Sequence, residues 1–474
     1  MWIHGIIGAA MLIYLAVRAA GMAVTYDEAW TIMDFAPNSV WDVLRCMPCD
    51  ANNQLLNTLL VKILYHHVGP DTLFTARAPN VIAGLVYMLA AHLIARRRPN
   101  AILAHGTFIL LLANPFLLDL FSLARGYGLG LAFQLLSIHF ALAHVEGQRM
   151  GTAALVTAVL APLANLTFLL FTLSMFLLLP ASTWFFQRHR IKRMIIETVI
   201  AGIILFALLF LPLQRLLEID AFYYGGDSGI FQDTLMSLIH ATLYDRGGAW
   251  LVAVFAALLP FLAFLPLLGK RRLDRAFLLV AGLLFLPIAG SILMHHLFGT
   301  LYTLDRGALY LYPPMILAIC WGAGTYQDHA AVRWAMRSLL VLAVINTITA
   351  LNTYKALLWE HEAYVPEILE KLDAKARAEG KTIRLDHSWP FRMTLRFYKE
   401  RRLAEHVEIV KPPGGFYAHA PDADAYLLLD RSLTTAPYDR DLEGLDPNHW
   451  IMLWEYPDVN VKVMVRRYGE HLPE

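Results

Sequence analysis

The chain has 474 residues, of which 58% are hydrophobic and only 16% charged. A soluble domain is nearer a quarter charged, so much of this surface must face lipid rather than water. The formal net charge of +1, with no basic run or low-complexity tail, gives no sign of a nucleic-acid partner.

A membrane helix needs about 20 apolar residues. That criterion predicts spans at Gly5–Val24, Ala78–Ala95, Ala101–Phe121, Gly128–His144, Gly151–Asn165, Leu166–Trp184, Met194–Leu213, Ala249–Leu268, Ala276–Leu297, Ala308–Thr325 and Trp334–Tyr354. The first run resembles a secretory leader in length, but Met1-Trp2-Ile3-His4 carries no Lys or Arg, so it reads as an uncleaved first helix. The fifth and sixth spans share one apolar tract. Arg and Lys cluster at Arg96-Arg97-Arg98, Arg149, Arg188/Arg190/Lys192/Arg193, Lys270-Arg271-Arg272 with Arg275, and Arg333/Arg337. Cytoplasmic loops collect such clusters. All of them fall on one side only if the N-terminus is cytoplasmic and the shared tract folds as a hairpin with its tip near Asn165.

The opposite face then receives the loops 25–77 and 214–248, the short segments Ser122–Tyr127 and Phe298–Arg306, and everything after Lys355. Within the first loop, Asn53–His67 has Leu55, Leu56, Leu59, Leu60, Ile63 and Leu64 at helical spacing, which suits an interfacial helix or a soluble one packed on the loop. Cys46 and Cys49 form a C-x-x-C pair there. A loop disulfide or free thiols is the favoured reading, and a redox centre or half a zinc site the weaker one.

Past Tyr354 the composition turns polar. Glu360–Glu379 and Pro390–Arg401 read as helices. Thr382–Asp386, Val407–Val410, Ala425–Asp430, Trp450–Glu455 and Val461–Val465 read as short strands, with Pro412-Pro413-Gly414-Gly415 as a turn. The expected architecture is thus a polytopic α-helical membrane domain of about eleven spans over residues 1–355, with a small α/β domain over 356–474 on its outer face.

Four constellations could carry chemistry. Asp27-Glu28 stands at the outer mouth of the first span, where two carboxylates are costly unless used or paired. Adjacent helical residues point about 100° apart, so one would face the bundle while the other caps or binds. Ala124-Arg125-Gly126-Tyr127 is a tight turn that sets Arg125 at headgroup depth, suited to a phosphate, with Asp119 nearby as its possible ion-pair partner. Asp305-Arg306, ahead of Pro313-Pro314, opens another span from the same face. The outer His and Tyr residues (His240, Tyr244, His295, His296, Tyr223, Tyr224 and Tyr302) and Asp220, Asp227, Asp233 and Asp245 complete the set. His295-His296 is poorly spaced for one metal ion.

With these residues in view, the chain resembles the GT-C glycosyltransferases, in particular the bacterial protein O-mannosyltransferase and aminoarabinose transferase group, glycosyltransferase family 39-like. The acidic pair Asp27-Glu28, the Ala-Arg-Gly-Tyr turn and the Asp-Arg segment before Pro-Pro carry the resemblance over Met1 to Tyr354. It implies an inner-membrane enzyme of bacteria with a periplasmic C-terminal domain, using a polyprenyl-phosphate sugar donor. The acceptor would be a glycolipid, a polysaccharide or a protein. Asp27 would act as base and Glu28 as its orienting partner, with Arg125, Tyr127 and Arg306 at the donor phosphate. Asp119, His240 and Tyr302 would be further site candidates. Some members use a divalent cation at the acidic site and others none. The rival reading is a transporter or flippase of a lipid-linked or anionic solute. Such proteins place their charges near the bilayer midplane, with broken helices and repeated halves. Here the charges gather at one face and no internal repeat is evident.

Overall fold

The computed structural model describes residues 2–98, 100–269, 274–410, 420, 422–430 and 449–467. Lys270-Arg271-Arg272 and the Pro412–Gly415 turn lie outside the described residues. The chain divides into two compact units, Met1–Ala20 with Asp34–Leu351, and Gly21–Met33 with Asn352–Glu474.

In the first unit every predicted span is helical. Among the described residues nine helices are long and apolar enough to cross a membrane: Trp2–Gly21, Leu73–Ala95, Gly126–Val145, Leu166–Phe186, Arg188–Glu218, Ala249–Leu268, Arg275–Phe298, Asp305–Thr325 and Ala330–Ala350. A tenth span exists if Ala101–Leu112 and Pro115–Phe121 act together across a 60° bend. The bend follows from Asn114-Pro115: the Asn114 side chain caps the second segment by accepting from Phe116 N at 3.0 Å, and Pro115 occupies its first turn. The fifth expected span, Gly151–Asn165, is a helix of only 14 residues, Gly151–Ala164. At 1.5 Å per residue that is about 21 Å, short of a hydrocarbon core of about 30 Å. The expected eleven therefore becomes nine or ten full spans by length. The break at Asn165 falls where the charge pattern requires it, with Asn165 Oδ1 accepting from Thr167 N at 3.0 Å.

Burial separates centre from periphery. Of the residues in the apolar window of Asp305–Thr325, 94% are buried within the protein, against 6% for Ala330–Ala350, so the first lies at the heart of the bundle and the second at its periphery. Residues 55–68 depart from the expected amphipathic helix. Leu55–Val61 is α-helical and Lys62–Val68 is wider-wound. Asn57 and Thr58 point inward while Ile63 is exposed, because the buried side of this segment has polar work to do. Cys46 and Cys49 are joined by a disulfide, and Cys320 is a buried free thiol.

Among its described residues the second unit has five strands: β1 (Ile383–His387), β2 (Val407–Ile409), β3 (Ala425–Leu429), β4 (Trp450–Tyr456) and β5 (Val461–Arg466). Their order is β2-β1-β3-β5-β4. β1 runs parallel to both β2 and β3, with Leu385 opposite Ile409 and Ala425, and β5 runs antiparallel to β3 and β4. Every residue of β3 is buried, as befits a central strand covered on both faces. The Val365–Glu379 helix buries Val365, Ile368, Leu369, Leu372 and Ala376, one stripe of a 3.6-residue period, and ends on Gly380 at φ 62°. The Arg392–Glu400 helix packs against the short helix Tyr26–Trp30, which accounts for residues 21–33 belonging to this unit and not to the membrane unit.

Candidate active site

The acidic pair does not continue the first span. That helix ends at Gly21, and a separate helix of five residues, Tyr26–Trp30, begins after Thr25. Thr25 has extended backbone and caps it reciprocally with Glu28. Glu28 N donates to Thr25 Oγ1 at 3.4 Å, and Thr25 N donates to Glu28 Oε2 at 3.0 Å. The sequence signal for this capping box, Thr-x-x-Glu, was present in Thr25-Tyr26-Asp27-Glu28. Glu28 is fully buried in that role, whereas Asp27 is half-buried.

A third carboxyl joins them from far along the chain. Glu362 is 1% exposed; its Oε2 accepts from Tyr26 N at 2.9 Å, and its Oε1 accepts from the Thr394 hydroxyl. Burial pushes the Glu362 carboxyl well above the usual carboxylate range. The two hydrogen bonds oppose the shift, and the charges of Asp27 and Glu28 add to it. Val24 N donates to Tyr398 OH at 2.9 Å, and the Tyr26 ring meets Trp30 and Trp389 edge-on, each at 5.9 Å.

In the membrane unit, the Arg125 turn is built by amides. Asn57 Nδ2 donates to Ala124 O at 2.9 Å, and Gln54 Oε1 accepts from Gly126 N. Asn80 Nδ2 donates to Asn57 Oδ1 at 3.0 Å, while Asn80 Oδ1 accepts from Leu129 N at 3.2 Å. A Cβ at Gly126 would lie 1.8 Å from Ala164 O, so only glycine allows this approach. The turn presents Arg125 over the Tyr127 ring, 5.8 Å from its centroid.

The Arg306 segment has a similar build. Its guanidinium lies 4.7 Å from the Tyr224 ring centroid, and Tyr224 OH donates to Asp305 Oδ2 at 2.6 Å. The Tyr224 ring keeps about half its surface, but its hydroxyl end is desolvated, which raises its pKa. Arg306 pulls that value back, while Asp305 and Tyr127 push it further. The Gly126–Val145 helix, which carries Tyr127, packs against the Asp305–Leu311 segment, which carries Arg306. Asp305 is anchored as well: its N–H donates to Ser237 Oγ at 2.8 Å.

The remaining candidates make contacts of their own. Asp119 and Arg18, each 1% exposed, form an ion pair at 2.6 Å, with Tyr244 OH donating to Asp119 at 3.1 Å and Arg18 donating to Tyr14 OH at 2.8 Å. Arg18, not anticipated from sequence, is therefore a partner of Asp119. His240 Nε2 pairs with Asp245 Oδ1 at 2.9 Å. Tyr302 stacks on His295 at 4.4 Å, and His295 also contacts Thr300 O at 2.8 Å. Asp233 accepts from Ser228 N and Gly229 N at 2.7 and 2.9 Å and so shapes its own loop.

Two acids of this neighbourhood are engaged by hydrogen bonds within the protein. Glu28 Oε2 is occupied by Thr25, and both Glu362 oxygens accept hydrogen bonds. Among the described residues no group of three or more His, Cys, Asp or Glu is arranged to hold a metal ion.

Fold and site together define a multi-pass helical membrane protein with a small C-terminal α/β unit. Among solved structures the chain is similar to ArnT from Cupriavidus metallidurans in the apo state, with a TM-score of 0.51 and 13% identity over 98% of this chain and 97% of that one. It is also similar to ArnT from the same organism bound to undecaprenyl phosphate, with a TM-score of 0.50 and 13% identity over 100% and 99%. At this identity the likeness is one of fold, the GT-C fold expected from the sequence. No protein-family model matches the chain, and no curated protein does.

Proposed function

We propose that this protein is an inverting glycosyltransferase that moves a sugar from a polyprenyl-phosphate donor to an acceptor hydroxyl. The observation that carries the reading is the end-to-end fold likeness to ArnT, which in one structure holds undecaprenyl phosphate. The chain's own residues supply the chemistry. An alcohol is a poor nucleophile, so the acceptor needs a base, and we assign that task to half-buried Asp27, which neighbours the capping carboxylate Glu28. The acceptor oxygen attacks the anomeric carbon from the face opposite the lipid. Asp27 takes its proton, the bond from the anomeric carbon to the phosphate oxygen breaks, and the lipid phosphate leaves with the electron pair. Because phosphate is a good leaving group, no general acid is required. Arg125 and Arg306 offset the charge gathering on the leaving phosphate, and Tyr127 and Tyr224 hold the two guanidiniums flat. No step uses a metal ion.

With the short Gly151–Ala164 helix counted as a crossing, the positive-inside rule further supports a cytoplasmic N-terminus and a C-terminal unit on the outer face, which in a bacterial inner membrane is periplasmic. The acceptor class is a glycolipid, polysaccharide or protein. The test is sugar transfer in proteoliposomes from undecaprenyl-phosphate-linked sugars. Arg125→Ala and Arg306→Ala should raise the KM for donor more than for acceptor. Labelled-solute uptake without any sugar transfer would overturn the proposal in favour of transport.

A further inference from the structure

A helix of five residues cannot hold its own orientation in isolation, because one turn fixes several dihedrals for a single hydrogen bond. The Tyr26–Trp30 helix is held by its caps. One cap is local, between Thr25 and Glu28. The other comes from 336 residues away, where Glu362 accepts the N–H of Tyr26, the residue next to Asp27. Glu362 is itself fixed by the Thr394 hydroxyl, on the helix that packs against Tyr26–Trp30 and whose Tyr398 receives Val24 N. The carboxylate thus joins the backbone before Asp27 to the core of the C-terminal unit.

We propose that Glu362 is the positioning residue for Asp27, and that the C-terminal unit serves the reaction by aiming the base through the Glu362–Tyr26 and Glu362–Thr394 hydrogen bonds. This rests on the reading of Asp27 as base. Removing the Glu362 side chain leaves the Tyr26 N–H and the Thr394 hydroxyl without their acceptor in a buried place, and the helix turns to find others. A displacement of about 1 Å at a catalytic group is enough for a loss of about 100-fold. Glutamine preserves the arrangement, since its carbonyl accepts from Tyr26 N and its amide donates to Thr394 Oγ1.

The test uses the full chain in proteoliposomes with an undecaprenyl-phosphate-linked sugar. Glu362→Ala should lower kcat about 100-fold with the donor KM changed by less than about twofold, and Glu362→Gln should recover kcat to within about threefold of wild type. Thr394→Val, which removes one of the two bonds, should lower kcat about fivefold and carries the test should Glu362→Ala fail to insert. Wild-type kcat in Glu362→Ala, or in Thr394→Val where that variant carries the test, would overturn the proposal. So would Glu362→Gln being as inactive as Glu362→Ala, or a loss that appears only in KM. Asp27→Asn run alongside separates the two ideas. Full transfer in Asp27→Asn removes the base itself. An inactive Asp27→Asn beside normal turnover in Glu362→Ala removes only the positioning.

Discussion

Two buried carboxylates, one in each unit, are satisfied in opposite ways. Asp119, in the membrane unit, faces Arg18 at 2.6 Å with two tyrosine hydroxyls around the pair. Glu362, in the C-terminal unit, accepts only from a backbone N–H and a threonine hydroxyl and has two further carboxylates as neighbours. The first is a neutralised clamp between helices, the form a charge must take inside a bilayer. The second is an acid kept in an unfavourable electrostatic setting, beside the residue assigned to do chemistry. Perturbed acids of this kind concentrate at functional sites, whereas ion pairs of the first kind are as often structural.

That contrast predicts unlike responses to mutation. The largest effect belongs to the clamp. Arg18→Ala strands a buried charge and should cost about 3–5 kcal/mol, read as loss of folded protein in detergent thermal unfolding. The double change Arg18→Met with Asp119→Leu should restore most of it. Equal damage from both would show that Arg18 and Asp119 do more than neutralise each other.

Next comes the amide-built turn. Gly126→Ala forces a Cβ into Ala164 O and should weaken donor use severely, while leaving the C-terminal unit's own stability unchanged. Donor KM and protease resistance of residues 352–467 together check this.

For Glu362 the expected signature is a pH dependence. Its folded pKa lies above the unfolded value, so the native state holds its proton longer. Its contribution is fully present below the unfolded value of about 4.3 and is lost as pH rises through the raised folded value. The stability of the C-terminal unit against unfolding, measured in the full chain from pH 4 upward, should therefore fall more steeply with pH in wild type than in Glu362→Gln. Parallel curves would mean that Glu362 is ionised at no cost.

The smallest effect is expected at Tyr224. Tyr224→Phe keeps the ring under Arg306 and removes only the bond to Asp305, so it should shift donor affinity by about 0.5–1.5 kcal/mol. A larger loss would place the Tyr224 hydroxyl on the substrate itself.

Much of this was legible in the sequence, for physical reasons that can be named. Spans announce themselves by local apolar length, and the Asn165 break by charge parity along the chain. The C-terminal strands show as β-branched and aromatic runs between turn residues, and all five appear within a residue or so of their expected bounds. Glu28's role was readable too, since a capping box is a four-residue pattern. Unreadable were the pairs that depend on distant chain. Nothing in the first helix marks Arg18 as the partner of Asp119, 101 residues on. Gln54, Asn57 and Asn80 belong to no local motif, and only their convergence on the Arg125 turn gives them meaning. Glu362 sits in a polar stretch where acids are common, and only the fold brings it to Tyr26. The span count fell short of eleven because apolar length along the sequence ignores where a helix is broken or bent.

The most direct measurement of the central claim is single-turnover transfer from an undecaprenyl-phosphate-linked sugar by Asp27→Asn, in proteoliposomes where donor binding is measured separately. Loss of a positioned base predicts transfer slowed by at least about 100-fold with donor binding intact. Transfer at the wild-type rate would contradict the assignment of Asp27 as the base.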